Sequence, residues 1–145
     1  MSRSVQPPMV PLPYSAERAN RSLPLVRRIV DDLVACYADW QAAVSRFEYA
    51  TTRSRAEEPD ADAQRLQLEV QQLAGQIEGF VRELQELGLE CRSLETGLVD
   101  FPGELDGHLV YFCWMRGERA VEHWHATDEG FGARQPLPES EFARK

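Results

Sequence analysis

A chain of 145 residues, 43% apolar and 28% charged, is the size of one domain with its own core and too apolar to be a disordered segment. Its formal net charge of −8 lacks the cationic footprint that neutralises phosphates, which argues against nucleic-acid binding, and no apolar run reaches the ~18 residues of a membrane span. Three cysteines (Cys36, Cys91, Cys113) without a C-x-x-C pair make neither a disulfide framework nor a zinc-finger pattern, and fit a reduced, cytoplasmic setting.

The first 13 residues carry four prolines and no apolar signal-peptide core, so they read as a flexible lead-in. One domain is expected over residues 14–138, followed by a tail over 139–145. Ser15 can cap a helix whose first turn holds Glu17, favourable to the helix dipole. From there apolar residues recur at Leu23, Val26, Val30, Leu33, Tyr37, Trp40, Val44 and Phe47. A second set falls at Ala63, Leu66, Val70, Leu73, Ile77, Phe80, Leu84 and Leu87. Steps alternating three and four keep one stripe of a helix facing a partner helix. Between the two sets, T-T-R-S-R-A-E-E-P-D-A-D loses the period and contains Pro59. The expectation is an antiparallel, coiled-coil-like helical hairpin over residues 15–88. Pro24 should kink or restart the first helix, and Gly88 should end the second. Gly75 and Gly79 lie off the apolar stripe, each costing about 1 kcal/mol relative to alanine. They make sense if a sheet of this chain or a second subunit packs closely there.

Beyond Leu89 short segments rich in β-branched and aromatic residues alternate with turn residues, which predicts a small antiparallel β-meander over 89–127 and a C-terminal loop over 128–138. The fold class is therefore α+β. A tight turn at Gly117-Glu118 would pair Cys113 with Glu122, Phe112 with His123 and Val110 with His125. Residues two apart in a strand share a face, so His123 and His125 are expected to point the same way as Val121.

The stretches G-L-V-D-F-P, V-Y-F-C-W-M-R-G-E and W-H-A-T-D-E-G-F-G-A-R-Q-P-L, with the opening Y-S-A-E-R-A-N-R-S-L-P-L-V, resemble the bacterial domain-of-unknown-function family 2203 over roughly residues 14–138. The resemblance implies a long helical pair followed by a small sheet, and brings no activity or cofactor. The chain matches the family pattern at Asp100, Trp114, Gly117, Glu118, Trp124, His125, Gly130, Phe131 and Arg134. The family is more often aromatic where His123 stands, and carries glutamate where Arg18 stands, which weakens the capping box at Ser15.

Two site readings follow. His123 and His125 with Asp128 or Glu129 have the composition of a two-histidine, one-carboxylate metal set. The other reading is a candidate polar network of Asp100, Glu118, His125, Asp128 and Arg134, in which His125 donates to Asp100 or Asp128 and Asp100 accepts from Arg134. No nucleophile motif and no phosphate loop accompany them. The reading preferred from the sequence is thus a non-catalytic protein that self-associates or binds a protein partner through its hairpin, with no cofactor. The alternative is a divalent-metal- or small-ligand-binding protein, with hydrolase chemistry open to it, centred on His-Trp-His.

Overall fold

The computed structural model describes residues 12–53 and 61–142. The lead-in through residue 11, the break around Pro59 and the last three residues lie outside them. Two long helices come first, α1 (Ala16–Arg53) and α2 (Ala61–Glu86), followed by a five-stranded antiparallel sheet in the order β1-β2-β3-β4-β5. The strands are β1 (Glu90–Ser93), β2 (Leu98–Leu105), β3 (His108–Met115), β4 (His123–Ala126) and β5 (Gln135–Pro136). The architecture is the α+β hairpin-and-meander that the periodicities predict. β5 is an addition, because a two-residue strand inside a polar loop leaves no periodic signal.

Ser15 Oγ accepts from the Arg18 amide at 3.0 Å, which starts α1 as its sequence predicts. Pro24 sits inside α1 without ending it. One missing amide donor is a small loss in a helix whose flanking residues Leu23 and Val26 are fully enclosed. At the other end of the hairpin Gly88 takes φ 80°, and the amide of Leu89 turns back to the Leu84 carbonyl at 2.9 Å.

The apolar stripe of α1 divides between two partners. Leu23, Val26, Val30 and Leu33 join Val99, Phe101, Phe112 and Trp114 in the main core, so they face the sheet as well as α2. Farther along, the fully enclosed positions are Cys36, Ala43 and Ala50, seven residues apart. Cys36 Sγ lies 3.6 Å from the Leu73 carbonyl, and Ala50 clusters with Ala63 and Leu66. Small side chains there let the helices approach closely. Tyr37, Trp40, Val44 and Phe47, expected at the seam, flank it half-buried. A stripe of uniform spacing does not say which side of it meets a helix and which a sheet.

The sheet lays one face on α1. Gly97 shows how close the approach is: its φ is 77°, and a β-carbon there would sit 2.7 Å from Val30 Cγ1 and 2.8 Å from Arg116 Cβ. β2 runs through Pro102 without a break. β1 pairs with β2 only as far as Asp100, so Pro102 lies beyond it on an open edge where no amide is required. Its carbonyl instead accepts from the Tyr14 amide at 2.7 Å. Asp106 and Gly107, with φ of 52° and 80°, turn β2 into β3.

The β3–β4 connection departs from the expected two-residue turn. Cys113 pairs with His123, Phe112 with Trp124 and Tyr111 with His125. Gly117 has the positive φ expected of it, yet the chain stays out of the ladder until His123. Asn20 on α1 is the reason. Its amide group bonds both the amide of Val121 at 2.8 Å and the carbonyl at 3.1 Å, capturing the two groups that a tight hairpin would have used. Val121 consequently enters the main core. The expectation that it shares a face with the two histidines is overturned.

Candidate functional site

The sheet face turned away from α1 is the polar one. Asp100 on β2 is paired across the ladder with Cys113 on β3, which is paired in turn with His123 on β4. His125, two residues on, lies on the same face. Two of these are unusual for an outer face, since Asp100 and His125 each keep only 2% of their surface exposed. Buried polar groups must find partners, and these find each other. His125 Nε2 lies 3.0 Å from Asp100 Oδ1, and Arg92 Nε donates to Asp100 Oδ2 at 2.9 Å. Arg92 also lies over the Tyr111 ring at 5.1 Å, which shields the pair from solvent on that side.

The histidine's other nitrogen fixes its protonation. Nδ1 is 2.8 Å from the Ala126 carbonyl, an acceptor only, so Nδ1 carries a proton. Nε2 then faces a carboxylate oxygen, and a positive centre must stand between the two acceptors. A proton between Nε2 and Oδ1 makes that contact a hydrogen bond.

A second polar knot lies beside the first. Glu118 Oε1 and Oε2 accept from Arg134 Nη1 and Nη2 at 2.9 and 2.8 Å, a two-pronged pairing that suits the planar guanidinium. Glu118 Oε1 also accepts from the Met115 amide at 2.7 Å, while Trp114 Nε1 donates to the Glu118 carbonyl at 3.0 Å. Burial alone would raise the Glu118 carboxyl, but Arg134 and the Met115 amide outweigh it and hold the carboxyl below its usual range. Arg134 in turn lies against the Cys113 thiol. Desolvation, with the charge of Asp100 nearby, pushes that thiol up to about 11.

Of the residues singled out in the sequence, the fold therefore brings Asp100 to His125 and Glu118 to Arg134. Arg134 goes to Glu118 and not to Asp100, whose cation is Arg92. Asp128 stands exposed in the turn after β4, and His123 Nδ1 lies 3.9 Å from Glu118 Oε2. Among the described residues, the three metal-type donors that converge are Asp100, Cys113 and His125, each offering an atom within 4.8 Å of the others. Sequence reasoning passed over Cys113 because it lies in an apolar run, and Arg92 because its strand is short. The alternation of β3 held the signal for Cys113: it shares its face with Tyr111, two residues away.

The family model described as uncharacterized conserved protein (DUF2203) matches residues 13–137, most of the chain. The chain belongs to this family. No curated protein and no solved structure matches it. The DUF2203 region thus contains both polar knots and the whole of both helices. Among the described residues, no helix is long and apolar enough to cross a membrane.

Proposed function

We propose that this DUF2203 protein is a non-catalytic association module that pairs with a second copy of itself through the outer half of its helical hairpin. The observation that carries this reading is the reach of the core. The cluster shared with the sheet extends only to Val34 on α1 and Ile77 on α2. Beyond those residues α1 projects by about 28 Å and α2 by about 24 Å, at ~1.5 Å per residue. Two helices alone bury one narrow seam, and such a pair is marginal without further packing.

The surface of the arm supports the reading. On α2, Leu68, Gln72, Gly75 and Gly79 share one outer face by their spacing. Leu68 is 61% exposed, and β-carbons placed at Gly75 and Gly79 would meet nothing of this chain within 4 Å. The glycines therefore do not serve close packing of this chain's own sheet, and a second α2 laid across them in two-fold symmetry is the occupant we favour. Against catalysis stands the polar face itself: both nitrogens of His125 are engaged, and the Cys113 thiol stays protonated at neutral pH.

Sedimentation velocity over a wide concentration range tests this. A monomer–dimer equilibrium is expected, weakened in Leu68→Glu with the helical circular dichroism unchanged. A strict monomer at high concentration, or a dimer indifferent to Leu68→Glu, would sink the proposal.

A further inference from the structure

We infer that Asp100, Cys113 and His125 form a binding site for one transition-metal ion of the zinc class. Each ligand comes from a different neighbouring strand, β2, β3 and β4. All three residues are buried, and their donor atoms lie within 4.8 Å of one another. Asp100 and Cys113 are paired across the ladder on both sides and His125 is paired with Tyr111, so the donors are placed before any ion arrives.

The second shell of the histidine fits a ligand. A metal-bound imidazole donates its free N–H to a carbonyl or carboxylate, which orients the ring and aims the other lone pair at the metal. His125 does so through Nδ1 to the Ala126 carbonyl at 2.8 Å, and Nε2 is the nitrogen aimed into the triad. Arg92 occupies Asp100 Oδ2, leaving Oδ1 turned toward Nε2. The gap between Nε2 and Oδ1 needs a positive centre, and a cation that moves them apart serves as well as the proton.

The donor types choose the ion. One sulfur, one nitrogen and one oxygen suit zinc or cobalt far better than magnesium or calcium, which prefer oxygen alone. Cys113 supplies the one sulfur, a ligand that ions of this class hold as a thiolate. Binding exchanges two protons, one from the Cys113 thiol and one from the His125–Asp100 pair, for one divalent cation. A thiolate, a carboxylate and a neutral imidazole then balance its charge, so the loaded site is neutral in its buried setting. Three protein ligands leave one tetrahedral position for water or a small ligand. The His123, His125 and Asp128 set is replaced as the ligand set by this one.

Cobalt(II) titrated into the chelator-stripped full chain is the test. The wild-type chain is expected to bind a single equivalent, with visible ligand-field absorption and a thiolate-to-cobalt charge-transfer band. A Cys36→Ser/Cys91→Ser chain, whose sole thiol is Cys113, keeps that band. Cys113→Ala loses it and binds cobalt at least about 100-fold more weakly, while His123→Ala and Asp128→Asn leave spectrum and affinity unchanged. Absence of stoichiometric cobalt in the wild type, loss of the band in the double-serine chain, or its survival in Cys113→Ala overturns the site. Should Cys113→Ala fail to fold, the double-serine chain decides alone.

Discussion

Asp100 is the residue on which the outer face depends. Its side chain is 3% exposed and accepts from both Arg92 and His125. Replacing it with alanine leaves an imidazolium, or an imidazole with an unmet lone pair, in a desolvated pocket. Removing one partner of a buried pair costs about 3–5 kcal/mol, most of it the penalty on the charge left behind. Asp100→Ala should therefore lose stability on that scale in urea unfolding. Arg92→Ala should lose less, because Arg92 is 43% exposed and water can replace it. Glu118 makes a prediction of another kind. Its folded carboxyl titrates below an ordinary glutamate, because Arg134 and the Met115 amide prevail over burial. A carboxyl depressed by folding stabilises the fold above the ordinary value, and that contribution disappears as the pH falls through the depressed one. The stability gap between wild type and Glu118→Gln should thus be full at pH 6 to 7 (roughly, well above that ordinary value) and close in acid. A gap constant with pH would mean that the Glu118–Arg134 pair contributes nothing through charge.

At the level of elements, α2 and the β1–β2 turn treat their glycines in opposite ways. A β-carbon at Gly79 meets open space, so Gly79→Ala should raise the thermal stability of the monomer by up to about 1 kcal/mol from helix propensity alone. Gly97 holds a positive φ with Val30 and Arg116 inside 3 Å of a would-be β-carbon. Gly97→Ala should destabilise by about 1–3 kcal/mol, since either the backbone or α1 must shift. Differential unfolding of the two variants reads both signs at once. If Gly79→Ala instead weakens the dimer while stabilising the monomer, the outer stripe of α2 is located directly. The seam itself follows the same logic. Cys36, Ala43 and Ala50 are fully enclosed because small residues allow two helices to close up, and the larger Tyr37 and Val44 are displaced to the flanks.

Across the whole molecule, stability should grade from the sheet outward. The main core joins the lower halves of α1 and α2 to all the large inward residues of the sheet, including Trp114, Phe101 and Phe112. Among the described residues, a small cluster of Ala50, Ala63, Leu66 and Phe47 serves the far end of the arm. Local opening follows the density of buried apolar contact. Amide exchange in dilute protein should then be fastest in residues 43–53 and 61–70 and slowest in β2 and β3. At association-competent concentrations the arm should gain protection and the sheet should not. Uniform protection at both concentrations would argue that the hairpin is self-sufficient.

Much of this architecture was present in the order of residues alone. Two apolar stripes with steps of three and four require helices, and the change to alternation after Leu89 requires strands, because those periods are properties of the local backbone. Asp100 and His125 were likewise marked as polar residues in an apolar setting that had to find partners. Their meeting, the choice of Arg92 over Arg134, and the arrival of Cys113 beside them depended on register. That register was set by Asn20, 101 residues before the Val121 backbone it binds, and no local pattern carries such a bond. The sequence by itself determined which elements form and which of their residues are apolar. Tertiary structure alone decided which side of α1 met the sheet and which donors share a face, since both depend on contacts between residues far apart in the chain.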